Sequence, residues 1–431
     1  MSIETINVTR WLNSGQEFIE VGTLFRDDSL GRDSPFIGFS YHPDYLESKA
    51  GLLPSTPEFG PISRTILNDQ KNKDMVPNYF KQFLPSERNK SVINSLSDEF
   101  NQLDQFQQLK YLTKFRGSFG AVQLDYDSES QCNRLPKLDE AMALLSQLEK
   151  GNYNNLDNNA LSAMYHPNAD THVVNIYLEV SGKQVYCNLR KCKSERQANE
   201  YVFVQNMMNE CGIDSPLTVK LEDNDGGYYV GQMTGEMIID KGVGVSAMYN
   251  TIPVAVLLAD TKHVSKFENV NFAHINKAVS SSVGEIGPEI FKRALFTHLF
   301  AQKDISPRQI KIREVMDGKW KLAPHEICEI NLDKNIPFNL SITDTSSTYT
   351  ALKINEPLIE MVSAKYSLKP VEIRKAIDEV ASGVDKLHDI AIQSGLTPTD
   401  IHKLSQHVAQ SSIQSFSELT DEHKNSQGPV I

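Results

Sequence analysis

Asp304 is the side chain with the most chemistry to offer. It sits in Lys303-Asp304-Ile305-Ser306-Pro307-Arg308-Gln309, a polar loop directly after a helical run. A general base must stand within hydrogen-bond reach of the hydroxyl it deprotonates, and a loop anchored by a packed helix can hold it there. Lys191 is the matching basic group, with Arg190 one residue out of phase as its rival. The period of a strand puts Val185, Cys187, Leu189 and Lys191 on one face. His166, Asp170 and His172 invite a metal reading, because imidazole and carboxylate can converge from a turn. No third histidine follows at a diagnostic spacing, so a polar surface loop is the better reading. His325-Glu326 lacks the second histidine of HExxH, which leaves a metal-dependent hydrolase as the weakest of the functional readings.

The elements that must position these groups follow from periodicity. The stretch from Pro288 to Ile330 reads as a helix (Glu289 to Gln302), the Asp304 loop, and a hairpin of Ile310 to Val315 and Lys319 to Ala323. The hairpin turns at Met316-Asp317-Gly318, and Asp-Gly before a second apolar run is a strong hairpin signal. Upstream, Thr171 to Glu179 and Lys183 to Lys191 are strands joined through Val180-Ser181-Gly182. Asn199 to Cys211 is a helix with a Gly212 stop. Thr218 to Glu222 and Tyr228 to Met233 form another hairpin around Asn224-Asp225-Gly226-Gly227.

The first ~50 residues read as short strands, Ile19 to Phe25 and Pro35 to Tyr41 among them, with Arg32-Asp33-Ser34 as a turn. Tyr79 to Leu84, Ser91 to Phe100 and Lys137 to Lys150 are helical. Arg116 to Leu124 is a glycine-rich turn entering a strand, and the Asn-rich tract Asn152 to Asn159 is a polar linker. Glu356 to Ser367, Pro370 to Gln393 and Thr399 to Phe416 are helical. These readings divide the chain into 1–150, 160–240, 241–416 and a polar tail, 417–431, expected to be disordered.

With 431 residues the chain can bury a sizeable core. A net charge of −12 and a pI near 5.5 weigh against a broad nucleic-acid or anionic-membrane surface of its own. The five cysteines are odd in number and show no CxxC pair, the pattern of reduced thiols in a cytoplasmic protein. The N-terminus has no basic-then-apolar signal pattern, and no run approaches the ~18 apolar residues of a membrane span.

Three segments together resemble the HipA family, the kinase-fold toxins of bacterial toxin–antitoxin modules. Asn199-Glu200-Tyr201 opens a helix ending at Gly212-Ile213-Asp214-Ser215-Pro216, like the family's NEY helix and its turn. Ala301 to Gln309 stands where the family has an Asp-Gly-His-x-Lys-Asn loop, and Leu322-Ala323-Pro324 matches the opening of its Leu-Ala-Pro-x-Tyr-Asp segment. The N-terminal strands, Phe83-Leu84-Pro85 and Gly120-Ala121-Val122 also fit. The resemblance covers nearly the whole chain in order.

It implies an α+β fold with a small β-rich N-terminal subdomain and ATP lobe, followed by a mainly helical C-terminal lobe. It further implies ATP and Mg²⁺ as cofactors, with Asp304 as base and a Lys–Glu pair of Lys191 (or Arg190) and Glu200 ordering phosphates. The adenine hinge would be Gln232 to Thr234. Gln309 falls at the metal-binding Asn, its extra methylene moving the amide by about a bond length. The metal Asp falls on Ile327, and Glu326 or Glu329 could replace it only if the backbone shifts. No glycine-rich phosphate loop precedes the first ATP-lobe strand, where residues 164–172 stand, and the regulatory serine of that loop has no clear counterpart.

These substitutions favour a catalytically impaired pseudokinase acting through a partner, which the resemblance makes a small HipB-like helix-turn-helix antitoxin. DNA would be reached only through that partner, and a homodimer is a second assembly the family allows. The alternative is an active ATP- and Mg²⁺-dependent Ser/Thr kinase toxin acting on a translation-related protein.

Overall fold

The computed structural model of the chain describes residues 3–12, 16–29, 35–47, 73–95, 97, 99–116, 118–119, 121–125, 135–153, 156, 160, 163, 172–240, 244–259, 270–316, 318–333, 335–343 and 354–410. The turn Arg32-Asp33-Ser34, most of the Asn-rich tract, residues 164–171 with His166 and Asp170, and the tail 417–431 lie outside them. The chain forms two compact units, each assembled from three stretches. One comprises Met1–Cys192, Leu221–Lys262 and Ile312–Leu322; the other comprises Lys193–Lys220, His263–Lys311 and Ala323–Ile431.

The first unit is rich in strands. β1 (Ile3–Leu12), β2 (Glu17–Asp27), β3 (Phe36–Tyr41), β4 (Ser118–Phe119) and β5 (Val122–Leu124) make a five-stranded sheet in the order β3-β2-β1-β5-β4. Gly22 on β2 is required there, because a Cβ would lie 2.2 Å from the Ser40 carbonyl oxygen.

A second sheet holds β6 (Val174–Val180) and β7 (Lys183–Cys192). The chain then passes through β8 (Leu217–Glu222), a turn at Asp223–Gly227, β9 (Tyr228–Asp240) and β10 (Gly244–Met248), in the path order β10-β9-β7-β6. Ser181 and Gly182, at φ 52° and 79°, close the β6–β7 hairpin with the two positive φ angles of a type I′ turn. The helix Leu138–Glu149 lays Ala141, Met142, Leu145 and Leu148 against Val174, Ile176, Cys187, Leu189 and Tyr229, forming one apolar cluster. β11 (Thr251–Pro253), β12 (Lys311–Met316) and β13 (Lys319–Leu322) make the third sheet. Strands 12 and 13 are the hairpin expected from Asp-Gly.

The second unit is helical: Glu195–Glu210, Phe272–Val283, Gly287–Leu299, Glu356–Tyr366, Pro370–Val384, Leu387–Gln393 and Pro398–Ala409. Ser194, Asn271, Asn355 and Thr397 cap four of these through their side chains, each supplying an acceptor for an otherwise orphaned first-turn amide. The segment read as one helix, Pro370 to Gln393, is two. The break follows Gly383, where a Cβ would stand 2.5 Å from Cys211 Sγ and 2.8 Å from the Cys211 amide nitrogen. Gly212 stops the Glu195 helix as expected, with φ +68° and Ile213 N–H donating to Met208 O at 2.9 Å.

Candidate functional site

The Asp304 loop begins where the helix Gly287–Leu299 ends. Gln302 N–H donates to Thr297 O at 2.9 Å and Ala301 N–H to His298 O at 3.4 Å, the paired bonds of a Schellman stop. The left-handed residue there is Ala301, at φ +48°, where glycine is the usual occupant. From this point the loop is laced to 328–339. Gln302 Nε2 donates to Cys328 O at 3.2 Å, Asn331 N–H to Ala301 O at 2.9 Å, and Asn339 N–H to Lys303 O at 3.0 Å. Lys303 Nζ donates to the carbonyls of Asp333 and Ile336. The Phe338 ring lies 5.5 Å from that amine and stacks on His298 at 4.3 Å. Burial lowers the Lys303 pKa, with Asp333 and Asp304 opposing it.

Asp304 is exposed at the head of this braced loop, and no hydrogen bond or ion pair engages its carboxylate among the described residues. The carboxylate is therefore open to solvent. The metal donors expected beside it are differently employed. Gln309 Oε1 accepts from Ser306 N–H at 2.8 Å, and its Nε2 donates to Cys328 Sγ at 3.3 Å. Glu326 is ion-paired with buried Lys311 at 2.5 Å. Ile327 is apolar and 3% exposed. Glu329 accepts from Gln197 Nε2 at 2.7 Å and Tyr201 Oη at 3.3 Å.

Mg²⁺ demands near-octahedral oxygen donors and keeps several waters. An amide oxygen already bonded within its own loop, a carboxylate neutralised by an ammonium and a buried isoleucine do not fit that ion. Among the described residues no three His, Cys, Asp or Glu side chains gather in a way that could hold a metal. His172, the described member of the other candidate metal set, is buried with its ring 6.4 Å from Tyr153.

The triplet Asn199-Glu200-Tyr201 is built into the second unit. Asn199 Nδ2 donates to Gly395 O at 2.8 Å, and its Oδ1 accepts from Lys220 at 2.9 Å. Glu200 is salt-bridged to Arg196 at 3.2 Å, and Arg196 also reaches Asp400 at 3.0 Å. Glu200, Arg196, Asp400 and Lys403 line a cavity of about 170 Å³ floored by leucine and isoleucine. Burial first, with Asp400 and Glu329 adding to it against Arg196, pushes the Glu200 carboxyl up to about 7.

In the first unit Lys191 shares the face of Cys187 and Leu189 that meets the helix Leu138–Glu149. Its Nζ donates to Ser146 Oγ at 2.9 Å and stands 5.7 Å from the Tyr229 ring centroid. Arg190 points from the other face, donating through Nη2 to Gln232 Oε1 at 3.1 Å. Gln232 lies inside β9, opposite Asn188, and β9 runs on through Thr234 to Asp240. Its far end pairs with β10 from Met237 to Asp240; the Thr234 side chain is outside the described residues.

Sequence reasoning missed Ser146, Tyr229 and Asp223 around Lys191, and Lys311 beside Glu326. Ser146 had a readable signal. It lies four residues from Met142 and one from Leu145 on the buried face of an amphipathic helix, where a hydroxyl needs a partner. Lys311 had none, because its partner is fixed by the path of the chain after Leu322.

A strand-rich unit and a helical unit, with a loop Asp following a packed helix and leading into a hairpin, define a kinase-type fold of the HipA kind, as the order of motifs implied. Over 100% of both chains the structure is similar to HipA from Shewanella oneidensis MR-1, solved as a toxin–antitoxin complex with HipB and its operator DNA, at a TM-score of 0.63 and 11% identity. That likeness concerns the fold. The Helicobacter pylori proinflammatory kinase CtkA is similar over 58% of this chain and 95% of its own, with a TM-score of 0.41 and 11% identity. No family model matches the sequence and no curated protein matches it.

Proposed function

We propose that this chain is a HipA-fold pseudokinase that works in the cytoplasm by binding a partner. The observation that carries the reading is Ile327, buried and apolar where the resemblance puts a metal-binding carboxylate. Glu326, the nearest substitute, is tied to Lys311. Phosphoryl transfer depends almost wholly on positioning and electrostatic stabilisation, so loss of the metal donors removes most of its catalysis. The partner is a HipB-like helix-turn-helix protein, consistent with the complex in which the Shewanella protein was solved. The net charge of −12 favours DNA being reached through that partner rather than by this chain. Self-association into a homodimer is compatible with this role.

Thermal unfolding with and without ATP and Mg²⁺ tests the reading. A ligand at 100 times its Kd stabilises by ~2.7 kcal/mol; the pseudokinase should show little or none of this, and a clear Mg²⁺-dependent rise in Tm would overturn it. One observation favours the active-kinase alternative, the exposed, unengaged carboxylate of Asp304. That reading requires phosphate transfer from labelled ATP that is abolished in Asp304→Asn.

A further inference from the structure

Four polar side chains of the first unit form a single file. Lys191 Nζ reaches Ser146 Oγ at 2.9 Å, Ser146 Oγ reaches Tyr229 Oη at 2.8 Å, and Tyr229 Oη reaches Asp223 Oδ2 at 2.8 Å. Chemistry fixes the direction of every proton. Asp223 is held below the usual carboxylate range by the Gly227 amide first and the Tyr229 hydroxyl next, so it only accepts. Tyr229 therefore donates to it, and its one proton is committed there. The Met142 carbonyl, at 3.3 Å, is the longer and uncharged alternative. Ser146 must then donate to Tyr229, which leaves its lone pairs for the Lys191 ammonium, a group that only donates. A cation and an anion are thus joined through two hydroxyls, with all protons running from Lys191 toward Asp223.

We propose that Asp223, acting through Tyr229 and Ser146, is the counter-charge that positions the Lys191 amine, the task expected of Glu200. The file is held at each link. Asp223 Oδ1 is pinned by the amides of Asp225 at 3.0 Å and Gly227 at 2.6 Å. Tyr229 is fully buried, so its ring and hydroxyl are fixed. That ring also attracts the ammonium through its π face. Of the file's four members Tyr229 is buried, and Lys191, Ser146 and Asp223 are half-buried. Glu200, for its part, is engaged by Arg196 at 3.2 Å. Ser146, Tyr229 and Asp223 are positioning residues, and the ligand of the amine they orient is an anion. The pseudokinase reading needs no nucleotide there; only the active-kinase alternative would make that anion a nucleotide phosphate.

The test is the reactivity of the Lys191 amine toward acetic anhydride as a function of pH, read on the full chain by peptide mass spectrometry against its other lysines. Tyr229→Phe and Ser146→Ala each remove hydrogen-bond support from the ammonium. Each should raise Lys191 labelling at pH 8 about threefold. Glu200→Gln should leave the Lys191 profile where it is. A profile moved by Glu200→Gln and unmoved by the two hydroxyl variants overturns the proposal, as does a profile that none of the three moves. A second arm adds ATP without metal to the unaltered chain. Protection of Lys191 supports a nucleotide phosphate as the anion. Absence of protection, with the hydroxyl variants still shifting the profile, removes the nucleotide and leaves the positioning role standing.

Discussion

Arg10 and Glu314 stand 304 residues apart in sequence and meet at 2.8 Å, their side chains 2% and 4% exposed. The pair ties β1 to β12 within the first unit. Arg10 Nη1 also donates to Tyr45 Oη at 3.1 Å, and Glu314 Oε1 accepts from Gly318 N–H at 2.5 Å. Arg10 occupies an inward position of β1 beside Ile6 and Val8, where an apolar residue would ordinarily sit.

A buried pair of this kind is far harder to halve than to replace. Arg10→Met or Glu314→Leu alone should cost about 3–5 kcal/mol, because each leaves a desolvated charge without its partner. The double variant Arg10→Met/Glu314→Leu should recover most of that loss. Urea denaturation of the four proteins gives the coupling energy directly, and simple additivity would show that the two side chains do not depend on each other.

Ala301→Gly should stabilise the second unit. An L side chain in the left-handed region costs about 1–2 kcal/mol, which glycine avoids at the expense of a more flexible unfolded chain. The net gain should be about 0.5–1 kcal/mol and visible as a higher Tm. A fall in Tm would mean that the Ala301 methyl, fully buried, contributes more by packing than it costs by strain.

Acid should weaken the protein through two buried histidines. Burial pulls His298 down to about 4 and His325 well below its ordinary range, with Arg293 adding to the effect at His325. Both are neutral when folded and free to charge when unfolded. As pH falls from about 6.5 toward 4 the unfolded chain therefore takes up protons first and stability drops, by roughly 2 kcal/mol per histidine at pH 5. His325 has both ring nitrogens buried without partners among the described residues. His325→Leu should then gain about 1 kcal/mol at pH 8 and lose part of the acid sensitivity. Identical pH dependence in the variant and the parent would locate that sensitivity elsewhere.

Glu200 works in the opposite sense. Its folded pKa of about 7 lies above the ordinary 4.5. Between those values the folded chain holds a proton that the unfolded chain has lost, so stability declines as pH rises. Glu200→Gln should gain about 1 kcal/mol at pH 8, a figure reduced for the solvent screening of this partly exposed group, and nothing at pH 5. A gain of equal size at both pH values would assign the effect to packing against Leu396 and Leu404 instead.

Three readings that depended on short-range pattern match the structure. Asp-Gly marked the β12–β13 hairpin, Gly212 marked a helix stop, and the period of β7 put Lys191 on the face of Cys187 and Leu189. Each is decided by a few neighbouring residues, through backbone φ preference or the alternation of a strand. The same holds for Ile327, whose apolar side chain is evident in the sequence and is buried in the structure. The partners of the charged groups were decided elsewhere. Lys191 meets Ser146 across 45 residues, Gln197 meets Glu329 across 132, and Arg10 meets Glu314 across 304. A lysine on a known strand face has many acceptors open to it, and only packing selects one by excluding water from the rest. For that reason Glu326 could be named from sequence as a spare metal ligand, while its commitment to Lys311 became visible only once the chain had folded.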